Sequence, residues 1–547
     1  MNIATATSVL GGVGLFLLGM SVMTSGLKAL AGSGLRATLS KAAATPISGT
    51  FWGAFVTLIV QSSSATTMTT IGLVSAGLLT FSQGLGLVFG ANIGTTGTAW
   101  LVALIGVRVS LTAAALPAIF VGALIKLLGR GRVSAAGAAL AGFALVLFGL
   151  TTLQQGMSGV AEQLHPSNLP AIYGAGVSWW SSLFGVLALV VVGLAMTAVM
   201  QSSTAAVAVT LSASYAGAVG LDQACALIIG QNIGTATSSA LAAIGASRTA
   251  QRLALAYILF KLIAAAIALL IFPITIPPLI RLSQRIDGVT LLAAYHTAYN
   301  VVGVAVLLPL IDKFTRFVER VLPERGSPLT RCLDPAALLT PLAAEEAVRR
   351  TVARSLATMC ASIGAALTAG KRAVSATAAG DALRRAQQFI SEASGPPESQ
   401  DEEERLTCTM HALDHAARLA EVASGKGEFA SLPAGSEDAR AAQLCAEAMK
   451  NAVLIAGEVG ALPGDSDRAT PVEGELLEDA MVRLEDRATI LGELQPAYRK
   501  VTLGSVAGGA VSADEAIARV DTFRWLESLA RHAWRCAAYL MYQPPPS

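Results

Sequence analysis

Long apolar stretches fill the chain up to residue 311. A helix needs roughly 20 apolar residues to cross a bilayer, and such stretches fall at 8–30, 47–79, 83–106, 110–128, 134–156, 178–216, 221–246, 253–280 and 290–311. Two of them, 47–79 and 178–216, exceed one crossing and carry a polar cluster in the middle. We therefore predict helices that are broken there, since irregular backbone at membrane depth must line a cavity or pack against protein.

From residue 340 onward the apolar positions alternate with charged ones at helical spacing. In the helix predicted from Glu402, the side chains of Leu406, Met410 and Leu413 share one face, as core packing requires. Six amphipathic helices are predicted, at 342–370, 372–394, 401–424, 437–459, 473–500 and 513–541. Segments rich in Pro and Gly at 395–397, 425–435 and 463–471 separate several of them. This pattern predicts a soluble helical bundle.

The charges divide the chain at nearly the same place. Residues 1–312 contain 12 Lys plus Arg and 4 Asp plus Glu, whereas residues 313–547 contain 26 and 32. So few charged side chains cannot solvate the surface of the first half, which excludes a water-soluble domain there. The second half has the charge density of an ordinary soluble domain.

Two polar motifs of the first half recur later in the chain at one constant offset. Residues 61–64 (QSSS) return at 201–204 (QSST), and residues 90–95 (GANIGT) return at 230–235 (GQNIGT). Aligned without a gap, residues 53–98 and 193–238 agree at 16 of 46 positions. Chance agreement would be roughly a tenth, so the pattern indicates an internal duplication.

Basic residues give the two repeats opposite orientations. Lys28, Arg36 and Lys41 follow the first helix, whereas Lys126, Arg130 and Arg132 precede the helix at 134–156. Because basic loops stay on the cytoplasmic side, equivalent helices point in opposite directions, as in inverted-topology repeats. We predict an all-α, multi-pass protein of the cell (inner) membrane whose C-terminal bundle is cytoplasmic. The predicted domains are a first repeat at 1–132, a second at 133–315, a linker at 316–340 and the bundle at 341–547.

The repeated motifs supply the candidate binding residues. Buried polar groups are costly in lipid and usually mark a pathway, although Ser and Thr in spans also bond to their own helix. The dense clustering and the twofold occurrence favour the pathway. The candidates are Gln61, Ser62, Ser63, Ser64, Thr66, Asn92 and Thr95 in the first repeat, and Gln201, Ser202, Ser203, Thr204, Asn232 and Thr235 in the second.

The second motif, Gly90-Ala91-Asn92-Ile93-Gly94-Thr95, predicts a break in a helix. Two glycines free the backbone, while Asn and Thr can cap a helix that restarts there. N–H groups exposed at such a half-helix attract anions, and unwound carbonyls coordinate Na⁺. The alternative is a simple kink packed by neighbouring helices.

The scarcity of charged residues in the two repeat cores limits which ligands they can bind. Neither repeat core contains Lys or Arg, and Asp222 is the one acidic residue in them. A carboxylate-rich divalent site is therefore excluded, and an anion held by hydroxyls and amides alone would lack neutralising charge. Together these depletions predict an oxyanion site that takes up sodium ions with its anion.

Two ionisable residues near the repeats each have two interpretations. Lys261 is either a substrate or charge-compensating group, or a lysine that snorkels to the interface. His296 either relays protons or is a hydrogen-bonded structural histidine. The Ser clusters lack a nearby base and P-loop or metalloprotease motifs are absent, so we expect neither an enzyme, nor a cofactor, nor a nucleic-acid partner.

On these paired motifs, residues 5–312 resemble the type II sodium–phosphate cotransporter family. The resemblance implies Na⁺-coupled movement of inorganic phosphate, with motif residues forming substrate and sodium sites between two inverted repeats. It implies sodium at overlapping positions, Gln61, Ser64, Asn92, Gln201, Thr204 and Asn232. Thr204 departs from the Ser of the first repeat but keeps its hydroxyl. His296-x-x-Tyr299-Asn300 resembles another sequence motif of this family. Residues 257–261 resemble that motif only loosely.

The C-terminal half resembles a PhoU-like helical bundle, which implies regulation linked to phosphate status. Expected partners are phosphate, sodium ions, membrane lipid, and a cytoplasmic regulator or a second copy of the chain at the bundle. The direction of net transport stays open, and so do three alternatives: a membrane-anchored phosphate sensor, a carrier that works mainly as a phosphate exporter, and a channel. The channel is disfavoured because the polar clusters lie at broken helices.

Overall fold

The structure is a computed structural model that describes most of the chain. The described residues are 3–106, 112–162, 165–170, 172, 179–244, 246–323, 327–369, 376–393, 395–397, 399–424, 437–462 and 474–543. They form helices and connecting turns with no strand among them, so the predicted all-α fold is confirmed. The chain divides into two compact units, 1–71 with 81–324, and 72–80 with 325–547.

The first unit contains thirteen of the helices, the third of which ends in the second unit. They are α1 (Ile3–Ala42), α2 (Pro46–Val60), α3 (Ser63–Ser75), α4 (Phe81–Thr95), α5 (Gly97–Leu101), α6 (Thr112–Leu128), α7 (Arg132–Ala161), α8 (Trp179–Met200), α9 (Ser203–Tyr215), α10 (Leu221–Ala243), α11 (Arg248–Leu282), α12 (Gly288–Leu307) and α13 (Ile311–Val321). A π-helical turn, Val102–Gly106, follows α5. Short 3₁₀ turns lie at Pro166–Asn168 and Leu308–Leu310.

Several of these helices have the length and composition of membrane spans. Among the described residues five helical segments are long and apolar enough to cross a bilayer, at Ile3–Ala31, Phe81–Leu104, Arg132–Ala161, Trp179–Met200 and Arg248–Leu282. The apolar helices Pro46–Val60 and Ala114–Leu128 are shorter. The predicted breaks within 47–79 and 178–216 are confirmed, because α2 gives way to α3, and α8 to α9, at the polar clusters.

Helices α1 and α7, which lead the two repeats, pack against each other through glycines. A Cβ atom on Gly19 would lie 2.5 Å from the backbone N of Val146, so only glycine permits this approach. The facing pairs are Gly12 with Leu153, Gly19 with Val146, and Gly26 with Ala139. Residue numbers rise along α1 as they fall along α7, so the two helices are antiparallel.

This interface predicts that Gly19→Ala destabilises the protein while Gly14→Ala, on the same helix, does not. The alanine methyl at Gly19 forces two backbones apart, and overpacking of this kind costs typically 1–3 kcal/mol, about 2 kcal/mol as a central value. A methyl on Gly14 meets no atom within 4 Å, so the higher helix propensity of alanine is its main effect. Thermal unfolding of the purified variants in detergent measures the difference. Equal melting temperatures for the two variants would contradict the glycine-mediated interface.

The two repeats also share their internal packing. Glycines of α4 and α10 lie against backbone of α2 and α8 in pairs that correspond in the repeat alignment: Gly53 with Leu87 and Gly193 with Leu227, and Gly90 with Thr50 and Gly230 with Val190. Residue numbers rise together from the contact of Pro46 with Gly86 to that of Thr50 with Gly90, so α2 runs parallel to α4. They rise in the same way from the contact of Val190 with Gly230 to that of Leu194 with Gly234, so α8 runs parallel to α10. The intervening α3 and α9 must therefore carry the chain back. Each 13-residue helix is about 20 Å long at 1.5 Å per residue, enough for that return.

The second unit is a helical bundle. Its helices are α14 (Pro341–Ala369), α15 (Ala376–Ser391), α16 (Gln400–Ser424), α17 (Glu437–Gly460), α18 (Gly474–Ala507) and α19 (Ala513–Leu540), with a 3₁₀ turn at Pro335–Leu339. They lie close to the six predicted amphipathic helices. The predicted break at 395–397 falls in the turn between α15 and α16. The predicted breaks at 425–435 and 463–471 lie outside the described residues.

Residues 72–80, which end α3 and form the following turn, belong to this second unit. Within the unit the Ser75 hydroxyl donates to Asp334 Oδ2 at 3.0 Å, and both side chains are buried. The sequence pattern does not show this contact because its partners are 259 residues apart.

A buried ion cluster joins α14 to α16 in the bundle. The Arg405 guanidinium lies 3.0 Å from Glu345 Oε2 and 3.1 Å from Glu346 Oε2, and both carboxylates are almost fully buried. Thr409 donates a hydrogen bond to Glu345 Oε1 at 2.6 Å. Burial raises the pKa of Glu345, and the neighbouring Arg405 opposes that shift. Arg405 therefore compensates two carboxylates that would otherwise be costly inside the bundle.

Candidate functional site

The two glutamines that begin the repeated polar clusters, Gln61 and Gln201, lie where the chain reverses direction. Gln61 has φ 55° and Gln201 has φ 50°. These values lie in the left-handed region of backbone conformation, which residues other than glycine rarely adopt. Among the described residues, Tyr542 is the other non-glycine residue with positive φ. Such backbone costs of order 1 kcal/mol and persists where the surroundings enforce it, often at functional sites. Each repeat thus places a strained glutamine at the tip of its helical reversal.

The carboxamides of these glutamines make the same hydrogen bonds in both repeats. Nε2 donates to the backbone of the preceding helix, at Leu58 O for Gln61 and at Ala198 O for Gln201. Oε1 accepts a hydrogen bond from a hydroxyl further along the chain. Thr98 Oγ1 donates to Gln61 Oε1 at 2.6 Å, and Ser238 Oγ donates to Gln201 Oε1 at 2.8 Å. The glutamine therefore ties the reversal to the segment that follows the second motif.

The hydroxyls after each glutamine begin the returning helix. Ser62 and Ser202 cap α3 and α9, since their Oγ atoms accept from Ala65 N at 3.3 Å and Ala205 N at 3.2 Å. Ser63, Ser64, Ser203 and Thr204 follow in the first helical turns. A cap of this kind leaves further N–H groups of the turn available to a ligand.

The two repeats differ one turn further along the returning helix. In the first repeat Thr66 Oγ1 and Thr57 Oγ1 lie 2.8 Å apart in a buried hydrogen bond. In the second repeat Ala206 stands at the position of Thr66, and the buried Oγ1 of Thr197 has no partner. Thr66 therefore joins α2 to α3 and lies away from the cavity described below.

The predicted helix break at the Gly-x-Asn-Ile-Gly-Thr motif is wrong. In the first repeat, helix α4 continues through Gly90 to Thr95. In the second repeat, α10 continues through the corresponding residues 230–235 to Ala243. The glycines are needed for close packing instead: a Cβ atom on Gly90 or Gly230 would lie 1.9 Å from a carbonyl oxygen of the neighbouring helix. In the first repeat the helix ends directly after the motif, and α5 begins at Gly97.

A small cavity brings the two repeats together. The first repeat contributes Thr95 and Thr98, the second contributes Ser203 and Thr204, and α12 contributes His296. Ala99, Val102, Val207 and Ala208 complete the lining. Three of the predicted site residues, Thr95, Ser203 and Thr204, therefore meet in one place. The other predicted residues, Gln61, Ser62, Ser63, Ser64, Thr66, Asn92, Gln201, Ser202, Asn232 and Thr235, do not line this cavity.

Two lining residues, Thr98 and His296, were absent from the predicted site. Thr98 stands opposite Ser238 in the repeat alignment, and this shared hydroxyl is the signal that could have found it. His296 is 6% exposed, and its Nδ1 atom is buried without a hydrogen-bond partner. The prediction of a hydrogen-bonded structural histidine therefore does not hold for Nδ1, which is left for a ligand or a water molecule.

Asn232, from the second motif, takes part in a separate buried network. Its Nδ2 donates to Asn300 Oδ1 at 3.1 Å, and its Oδ1 accepts from the Lys261 ammonium. Lys261 is 2% exposed, so the alternative of a snorkelling lysine is wrong. In the first repeat Asn92 Nδ2 donates to Val88 O of its own helix, and Thr95 Oγ1 donates to Ala91 O. Thr235 Oγ1 likewise donates to its own helix, at Asn232 O.

The cavity offers neutral polar groups. Among the described residues, its polar lining consists of four hydroxyls and one imidazole, with no carboxylate, ammonium or guanidinium group. Hydroxyls and imidazole N–H groups are suited to the oxygens of a small oxyanion. Among the described residues, no cluster of three His, Cys, Asp or Glu side chains could hold a metal ion.

Parts of the chain are similar to known proteins. Residues 15–155 and 184–286 match the family described as "Na+/Pi-cotransporter". The chain is 28% identical to "Uncharacterized protein YqeW" of Bacillus subtilis over 310 residues, which are 57% of this chain and 96% of that relative. It is 30% identical to "Putative inorganic phosphate export protein YjbB" of Escherichia coli over 355 residues, 64% of this chain and 62% of the relative. The match thus spans less than two thirds of the Escherichia coli protein.

A shorter match reaches animal proteins. The chain is 37% identical to "Sodium-dependent phosphate transport protein 2A" of Rattus norvegicus over 99 residues, 18% of this chain and 15% of that relative. No solved structure matches the chain.

Proposed function

We propose that this chain, whose residues 15–155 and 184–286 match the Na⁺/Pi-cotransporter family, is a sodium-coupled secondary transporter of inorganic phosphate. The names of the Escherichia coli and Rattus norvegicus relatives, which refer to phosphate export and to sodium-dependent phosphate transport, support the substrate and the coupling ion. Its long apolar helices make it a membrane protein. Sodium is here a co-transported substrate and not a resident cofactor.

The observation that carries the proposal is the cavity between the two repeats. Thr95 and Thr98 approach from the first repeat, and Ser203 and Thr204 approach from the second. A small oxyanion bound between these side chains would be exposed or released when the two repeats move apart. Binding at a repeat interface is the arrangement that alternating access requires.

Missing positive charge supports sodium as the second substrate. The described residues that line the cavity include no cationic side chain. An anion inside protein without a compensating charge costs several kcal/mol, roughly 3–5 kcal/mol when a buried pair is broken. Sodium ions would supply this charge through oxygen ligands. The proposed ligands are the motif oxygens Gln61, Ser64, Asn92, Gln201, Thr204 and Asn232.

Antiparallel packing of α1 and α7 supports an inverted relation between the repeats. The contacts of α2 with α4 recur at the corresponding positions of α8 and α10, which supports a common internal structure. We place the protein in the cell (inner) membrane with the C-terminal bundle in the cytoplasm. The bundle would regulate transport by binding a cytoplasmic regulator or a second copy of the chain, and we assign no enzymatic activity.

Radiolabelled phosphate flux in proteoliposomes tests the function. The full-length chain should accumulate phosphate when an inward sodium gradient is imposed, because the gradient supplies the free energy. Replacing sodium by choline should reduce uptake to the level of protein-free liposomes. Equal uptake in sodium and in choline would refute sodium coupling. Uptake no greater than that of protein-free liposomes in both salts would refute phosphate transport.

A second candidate is a carrier that works mainly in the direction of export. The name of the Escherichia coli relative favours it. In the same liposomes, phosphate loaded inside would leave faster when an outward sodium gradient is imposed. Similar initial rates in both directions would show that gradients alone set the direction.

A further inference from the structure

A lysine ammonium is buried beside the second copy of the Gly-x-Asn-Ile-Gly-Thr motif. Lys261 lies on α11, and its Nζ donates to Asn232 Oδ1 on α10. The ammonium is 5.4 Å from the ring centroid of Tyr257 and 5.9 Å from that of Phe260. Within the described part of the chain, no carboxylate forms an ion pair with it. One amide oxygen and two ring faces offset only part of the cost of taking an ammonium out of water.

Neighbouring hydrogen bonds orient the Asn232 amide toward this lysine. Asn300 Nδ2 donates to the backbone oxygen of His296 at 2.9 Å, which leaves Asn300 Oδ1 as an acceptor. Asn232 Nδ2 donates to Asn300 Oδ1 at 3.1 Å. The Asn232 oxygen must therefore face the other way, toward a cation. The chain of bonds ends at His296, whose side chain lines the cavity.

The corresponding asparagine of the first repeat has no such neighbour. Asn92 Nδ2 donates to Val88 O, and within the described residues no cationic side chain contacts Asn92. Asn92 is 3% exposed and Asn232 is 4% exposed, so the two amides are equally buried. The two asparagines differ in the group that faces the amide oxygen. At Asn232 this group is the ammonium of a lysine, and at Asn92 it is not.

We propose that the Lys261 ammonium takes the place of one coupling sodium ion at Asn232. Both are monovalent cations that bind amide oxygens, and both supply positive charge next to the cavity. The inference rests on the proposed sodium-coupled phosphate transport and refines it: Asn92 serves an exchangeable sodium ion, whereas Asn232 serves a cation that never leaves. The chain therefore moves fewer sodium ions per phosphate than two equivalent repeats would.

Lys261→Asn tests the substitution directly. It removes the fixed charge, frees the Asn232 oxygen and adds a second amide oxygen, so a sodium ion should enter. Parallel ²²Na⁺ and ³²P flux in proteoliposomes should show the Na⁺-to-phosphate ratio rising by about one ion per phosphate. Lys261→Arg keeps the charge and should keep the wild-type ratio. Lys126→Asn, at an exposed lysine of α6, is the matched control and should leave the ratio unchanged.

A second measurement works without transport. In detergent and without phosphate, NaCl should raise the melting temperature of Lys261→Asn above its value in choline chloride by more than it does for wild type. An unchanged ratio together with an unchanged sodium effect would overturn the proposal. So would a Lys261→Asn variant that no longer folds, since Lys261 would then serve to hold helices together. If wild type itself shows no sodium-dependent phosphate flux, the proposed function fails, and the sodium effect on melting still decides the role of Lys261.

Discussion

Replacing Gln61 or Gln201 by alanine is expected to lower sodium-dependent phosphate flux about 100-fold, the loss that an ångström-scale misplacement of binding groups can cause. Each glutamine joins the helical reversal to the segment after the second motif through two hydrogen bonds. In the first repeat that segment includes Thr98, which lines the cavity. Without the Gln61 amide, Thr98 loses its acceptor and the reversal loses its connection to the cavity wall.

A glycine series separates the amide from the backbone at the same positions. Gln61→Gly and Gln201→Gly remove the side chain, but glycine adopts φ 55° or φ 50° without strain. If the amide is what transport requires, the glycine variants should be as inactive as the alanine variants. Recovery of flux in glycine and not in alanine would show that backbone conformation matters and that the amides contribute nothing. Size-exclusion profiles and melting temperatures confirm that each variant is folded.

Replacing Arg405 by alanine is expected to destabilise the C-terminal bundle by about 3–5 kcal/mol, the range for removing one partner of a buried ion pair. Glu345 and Glu346 are 3% and 2% exposed, and Arg405 contacts both. Arg349 and Arg350 also contact Glu346 and would remain, so Glu345 loses the larger share of its compensation. Thermal or urea unfolding of the full chain, followed by the signal of the bundle, measures the loss.

Arg418 on the same helix provides the matched control. Its ion pair with Asp414 is exposed on both sides, and water screens such pairs so that they contribute little to stability. Arg418→Ala should therefore leave the unfolding midpoint nearly unchanged. Combining Arg405→Ala with Glu345→Gln should restore part of the lost stability, because the uncompensated charge is removed. Equal effects of Arg405→Ala and Arg418→Ala would contradict the buried ion cluster.

Apolar periodicity and the internal duplication were sufficient to predict the helices and the broken spans. The polar clusters interrupt long apolar stretches, and the helices break at Gln61 and Gln201, within the two stretches where this pattern predicted a break. The structure adds that the two repeats share contacts at this offset, since Gln61 accepts from Thr98 and Gln201 accepts from Ser238. These features depend on residues close in sequence or related by the duplication.

The Gly-x-Asn-Ile-Gly-Thr motif shows where local reasoning fails. Glycine in a helix either frees the backbone or allows another helix to approach, and sequence alone does not distinguish the two. Here the carbonyl of Thr50 fills the space that a Cβ atom of Gly90 would need, so α4 remains continuous. The choice depended on α2, a helix that is separated from the motif along the chain by all of α3.

The sequence by itself determined the helical class, the division into an apolar and a charged half, the duplication and the residue types available for binding. These follow from burial preferences and spacing, which are properties of the chain. The tertiary structure decided which hydroxyls share a cavity, that Thr98 and His296 belong to it, and that Lys261 faces Asn232. Such juxtapositions join residues far apart in the chain, and the energy of a buried charge depends on what surrounds it in space.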